Sequence, residues 1–247
     1  MHRSKLKSLA THITYDIFSL IKSSKKSKFT KTLPGRMKMY DWNAFVSKMP
    51  DIPDEECGFV VKVKVKTSEC DFPIVDAQVG EKIDGEICMW INITIANKKQ
   101  LSKLYAILVG VIRHEIEHLT MGGSLSMRGP TSAGELATYR KSLHDINRRR
   151  ILFSNNIDKD AWLKEENARC EAGRKGDIFS YLTCYEELGP FVAGFHTQAC
   201  IEKVSFEIIA AEYIDSFIES KQITETHAKI ALGWFKIWEK DKYRKSH

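Results

Sequence analysis

Long apolar runs are missing from this chain. Nothing in it approaches eighteen consecutive apolar residues, which excludes an ordinary membrane-spanning helix. The first twenty residues also lack an apolar stretch of signal-peptide length, because His12, Thr14 and Asp16 interrupt it, so export by that route is not expected. Paired cysteines are absent too. Cys57, Cys70, Cys88, Cys170, Cys184 and Cys200 are scattered with no CxxC spacing. That is unlike a structural zinc site, and it reads as reduced thiols in a reducing, cytoplasmic compartment. There is no internal repeat and no RNA- or DNA-reading motif, so a solenoid and a specific nucleic-acid reader are both disfavoured.

Acidic residues are scarce only at the N-terminal end. Residues 1–38 carry ten Lys/Arg against the single acid Asp16, a local +9 in a chain of net +6, so the remainder carries −3. Within this stretch Leu6, Leu9, Ile13, Ile17 and Leu20 recur at helical spacing, predicting an amphipathic helix before a linker at SSKKSKFTK. Residues 1–38 are therefore set apart as a basic amphipathic arm, and residues 39–247 as the main domain. Such a helix either packs on the domain with a solvated lysine tail or docks on an anionic partner. With 247 residues, 43% of them hydrophobic, the chain can bury a sizeable core in one domain.

Past a Pro-marked acidic loop near Pro50 and Pro53, Phe59 to Thr67 alternates strictly. Val61, Val63 and Val65 share one face and Lys62, Lys64 and Lys66 the other, as in a half-buried strand. A second strand is predicted over Glu86 to Ile95, with Ile87, Met89, Ile91, Ile93 and Ile95 facing inward. Residues 98–119 then read as one helix, apolar almost all round from Leu104 to Ile112, closed by Met121-Gly122-Gly123. Further helices are expected over Ser132 to Ile151, Asp158 to Ala172, Gln198 to Lys221 and Thr224 to Tyr243. This order predicts an α+β fold: a small antiparallel or mixed sheet on a buried helix, then a mostly helical C-terminal half.

The end of the buried helix carries chemistry. His114-Glu115-Ile116-Glu117-His118 is an HExxH pentapeptide, with two imidazoles one turn apart on one face and a carboxylate beside the first. Two histidines and two glutamates at the end of a buried helix need partners, and a divalent cation is an economical one. His114 and His118 are thus candidate metal ligands and Glu115 a candidate general base.

A catalytic zinc usually takes a third protein ligand. The extended HExxHxxGxxH form fails here, because Met121 and Ser124 replace its Gly and His. Two glutamates remain. Glu135 lies 17 positions after His118, a compact spacing, and Glu187 lies 69 positions after it in YLTCYEELGPFVAGF. Spacing alone leaves both open.

HEIEH followed by YLTCYEELGPFVAGFHTQA resembles the paired motifs of gluzincin-type zinc metallopeptidases, in particular a poorly characterised group from tailed bacteriophages. The likeness spans about 90 residues and is strong only in its two motifs. It implies a zincin-like fold, a Zn2+ cofactor and a metal-ligand role for Glu187. Gly189 and Pro190 depart from the pattern, standing where that group has Glu and Ala, and Glu186 is a fallback ligand. Proline is tolerated in a first helical turn, so Glu187 is expected at a helix start. Tyr181, Tyr185 and His196 flank it as candidate transition-state donors. The resemblance also suggests that the strand before the HExxH helix is the sheet edge on which an extended substrate adds.

The expected function is zinc-dependent hydrolysis of peptide or protein substrates in the host cytoplasm or on a virion. Two alternatives stand beside it. One is a virion structural protein that binds metal without catalysis, and the other is an amidase acting on a small amide or a peptidoglycan stem peptide.

Overall fold

The computed structural model describes residues 2–24, 28–38, 56–81, 87–120 and 159–243. It is α+β, with a four-stranded mixed sheet and a mostly helical C-terminal half. The alternating segments build the centre of the sheet. Strand β2 (Glu56–Thr67) runs parallel to β4 (Ile87–Ile95), with Val61 opposite Met89, Val63 opposite Ile91 and Val65 opposite Ile93. All six side chains are buried on the same face, as a period of two requires. Lys64 and Lys66 point to solvent and Lys62 is half-buried.

Two edge strands complete the sheet. Strand β1 (Lys28–Lys38) pairs antiparallel with β2, and β3 (Ile74–Glu81) pairs antiparallel with β4, giving the order β1-β2-β4-β3. Two expectations change. The last residues of the expected linker are strand from Lys28 onward, because the backbone groups of β2 need a partner on that side. The strand preceding the HExxH helix is interior, and the sheet edge on that side is β3.

Helix α1 (His2–Ser23) buries Leu6, Ala10, Ile13, Ile17 and Ile21, and these join the inner-face residues of β2 and β4 in one apolar core. The charge boundary at residue 38 is therefore not a packing boundary. After a 3-10 turn at Lys98–Gln100, helix α2 (Leu101–Thr120) adds Leu104, Leu108, Ile112 and Ile116 to the same core.

The C-terminal half consists of α3 (Lys159–Arg174), α4 (Ile178–Thr183), α5 (Tyr185–Glu202), α6 (Phe206–Glu219) and α7 (Glu225–Tyr243). Helices α4 to α7 enclose a second core around Phe191, Phe195, Ile209, Ile214 and Phe235. The single helix expected over Gln198 to Lys221 is broken. Lys203 is left-handed (φ 59°) and Ser205 caps α6 by accepting from the Ile208 N–H. The break shifts the helical phase, so Val204 and Ile208 are exposed while Ile209, Ala210 and Ile214 are buried. The helix expected over Ser132 to Ile151 and the Met121-Gly122-Gly123 terminator lie outside the described residues. No helix of the described residues is long and apolar enough to cross a membrane.

Candidate metal centre

Helices α2 and α5 pack at unusually close range, and glycine is the cause. A Cβ at Gly194 would lie 2.8 Å from the Gly110 carbonyl oxygen and 3.3 Å from His114 Cβ, and one at Gly110 would lie 3.2 Å from the Gly194 oxygen. Gly110, His114 and His118 follow one another four residues apart along α2, and Glu187, Phe191 and Gly194 repeat at four and three along α5. Each set forms one facing ridge. Bare backbone at the crossing lets the next side chains along both ridges meet.

Three donor atoms then converge. Glu187 Oε2 is 3.2 Å from His114 Nε2 and 3.2 Å from His118 Nε2, and the two nitrogens are 3.1 Å apart. They form the one group of three or more metal-capable side chains found among the described residues. Glu187 Oε2 is buried and makes no hydrogen bond of acceptable geometry, so close imidazoles do not satisfy it as a proton donor would. The triangle fits a small cation instead: tetrahedral zinc with ligands at 2.0–2.1 Å has ligand edges of about 3.3 Å.

The electrostatics agree with an ionised third ligand. Burial by itself would raise the Glu187 carboxyl, but His118 and His114 outweigh it and hold the group far below the usual carboxylate range. Burial alone would likewise lower His118, and Glu187 reverses this, so its imidazole is raised. Glu115 is raised by burial, opposed by the two histidines and by the backbone N–H of Val79. Its Oε1 lies 4.0 Å from His114 Nε2, beside the triangle and not within it.

The second glutamate of HEIEH has a separate partner. Glu117 is 4% exposed and pairs with Arg113, itself 2% exposed, at 2.5 Å and one turn back on α2. Of the four titratable residues in the pentapeptide, three belong to the site and one to a buried ion pair.

A cavity of about 550 Å³ opens over the triangle, lined by Ala77, Gln78 and Val79 of β3 and by Arg174, Tyr181 and Glu186 around the cluster. Glu187 is the third residue of α5, at the helix start as expected, whereas Pro190 sits inside the helix beyond the first turn. Glu186, one residue earlier, turns toward Arg174 and bonds its guanidinium at 2.8 and 2.5 Å, so it is not a ligand of this cluster. Tyr181 reaches the cavity with its ring edge-on to Phe191, and burial followed by the Glu187 charge keeps its phenol protonated well above the usual range.

His196 is elsewhere. Nine residues beyond Glu187, about half a turn out of phase, it faces Glu239 of α7 at 4.0 Å. Glu135 and the side chain of Tyr185 lie outside the described residues. Two contributors have no signal near the motif. Strand β3 supplies one cavity wall, and Tyr213 of α6, half-buried beside Tyr181 and under the field of Glu187, comes from a helix 26 residues past that ligand.

No known family, curated protein or solved structure matches this chain.

Proposed function

We propose that the protein is a zinc-dependent metallopeptidase. One observation carries the reading: two imidazoles and an ionised carboxylate meet at 3.1–3.2 Å, with a second buried carboxylate 4.0 Å to the side, at the floor of a cavity beside a sheet edge. His114, His118 and Glu187 would hold the ion, and a set of two nitrogens and one oxygen suits zinc. Bound there, zinc supplies Lewis acidity, polarising a scissile carbonyl and making water acidic near neutral pH.

The rest belongs to the chain's own residues. Glu115 would take the proton from the attacking water and deliver it to the leaving amine. Tyr181, protonated and lining the cavity, would donate to the oxyanion as it develops. Strand β3, a sheet edge among the described residues, would offer backbone groups around Ala77–Val79 to an extended peptide, which suits a peptide substrate better than a small amide.

Metal analysis combined with a peptide-library digest tests the assignment. Glu115→Gln is expected to keep one equivalent of zinc and lose hydrolysis by a factor of about 10³ or more. Glu187→Ala is expected to lose zinc, and Glu135→Ala to retain it. Full activity in Glu115→Gln, or zinc loss confined to Glu135→Ala, would sink the proposal.

A further inference from the structure

Helices α1 and α2 cover one face of the sheet, and the other face presents a patterned surface. The strand registers place its outward residues in three rows across β1, β2, β4 and β3. These are Thr32, Lys62, Trp90 and Gln78; then Thr30, Lys64, Asn92 and Asp76; then Lys28, Lys66, Thr94 and Ile74. Four of the twelve are lysine and one is acidic. That acid, Asp76, is already engaged, accepting from Asn92 Nδ2 at 3.3 Å.

Two features set this face apart from an ordinary solvated one. Lys28 and Lys66 stand directly opposite each other in the antiparallel pair, an arrangement that like charges disfavour. Lys62, Lys64 and Lys66 lie on a central strand, so they are not the charges that sheet edges use to block aggregation. None of the four makes an ion pair among the described residues. Among the described residues the sheet bears concentrated positive charge with no acidic partner for it.

We infer that this face binds single-stranded nucleic acid without sequence preference. Along β2 the lysines repeat every two residues, about 6.7 Å, a spacing that suits successive phosphates of an extended strand. Trp90, half-buried in the row with Lys62, supplies a ring on which a base can stack, and Thr30, Thr32, Asn92 and Gln78 supply polar groups around it. A membrane surface fits less well, because the exposed apolar content of the face is confined to Ile74 at one corner. The lack of a base-reading motif is in keeping with contacts made to phosphate and ring faces. The metal centre lies on the helix side of the sheet and shares only Gln78, at the rim of its cavity on β3, with this face.

Fluorescence anisotropy with a labelled oligodeoxythymidylate, titrated across a salt series, tests it. Wild type is expected to bind with a log K against log salt slope of about −3, as for four phosphates on a single strand. The variant K62Q/K64Q/K66Q is expected to lose at least tenfold in affinity and to flatten the slope by about 2. Trp90→Leu is expected to weaken binding about tenfold with little change in slope. A charge-matched control on exposed helical lysines, K7Q/K229Q/K236Q, is expected to bind like wild type. The single substitution Lys64→Glu repeats the test should the triple variant melt early. An equal loss in the helical control, unchanged binding in both sheet variants, or binding of phosphatidylserine vesicles or polyglutamate but not the oligonucleotide would overturn the inference.

Discussion

Glu115 and Glu117 stand two residues apart on α2, and the helix turns them about 200° from each other. One faces the histidine cluster, and the other closes a buried ion pair with Arg113. Arg113→Met would remove the guanidinium that pairs with the buried Glu117. A loss of about 3–5 kcal/mol is expected in urea unfolding, with zinc uptake retained, and Arg113→Met combined with Glu117→Leu is expected to recover most of it. A double variant no more stable than the single one would show that the pair is not what holds Glu117. At this scale the site was partly legible in the chain. His114, Glu115 and His118 follow from residue type and helical spacing, because one turn of helix fixes their relation. Spacing leaves Glu187 and Glu135 both open and only the motif resemblance favours Glu187, because a ligand on another helix depends on how the two helices cross. His196 was misplaced for the converse reason: closeness in sequence to Glu187 says nothing about which side of the helix it occupies.

The crossing of α2 and α5 is where an element-scale feature becomes site geometry. At Gly194 an added Cβ meets backbone oxygen at 2.8 Å, and a carbonyl of a packed helix cannot rotate away as a flexible side chain would. Gly194→Ala should force the helices apart and open the triangle without removing a ligand. Zinc affinity, measured by competition with a chromophoric chelator, is expected to fall at least tenfold. Gly233 of α7 is the matched control: nothing lies within 4 Å of its would-be Cβ, so Gly233→Ala should leave zinc binding intact and add up to about 1 kcal/mol of stability. Unchanged affinity in Gly194→Ala would mean that the glycine contact does not set the ligand spacing. Helix α2 and strands β2 and β4 were legible because their periodicity runs over many residues. Strand β3 was not read from the sequence. Its inward Val75, Ala77 and Val79 are only half-buried, and its outward Ile74, Asp76 and Gln78 mix apolar with polar residues, which blurs the alternation. The break at Lys203–Ser205 was missed because it contains neither glycine nor proline.

At the scale of the whole molecule, charge and packing divide the chain differently. Composition separates residues 1–38, whereas the core joins α1 to the sheet and to α2. Charge patterning reports what the surface shows to solvent, and a basic helix with one apolar stripe reads the same whether that stripe docks on this domain or on another molecule. The identity of the covering surface is tertiary information. Leu6, Ile13, Ile17 and Ile21 are each 5% exposed or less, and each large aliphatic side chain buried to that degree contributes about 1.5–3 kcal/mol. Together they are comparable to the about 5–15 kcal/mol that separates a folded domain from its unfolded chain. Deleting residues 2–23 is therefore expected to abolish cooperative thermal unfolding, and to remove zinc binding with it because α2 loses its cover. Ile17→Ala grades the same effect, with an expected loss of about 2–5 kcal/mol in denaturant unfolding. A detachable docking arm predicts the opposite: an unchanged melting transition, intact zinc uptake, and an Ile17→Ala variant as stable as wild type. Because the two accounts differ in whether a cooperative transition survives at all, one melting curve of the truncated protein separates them.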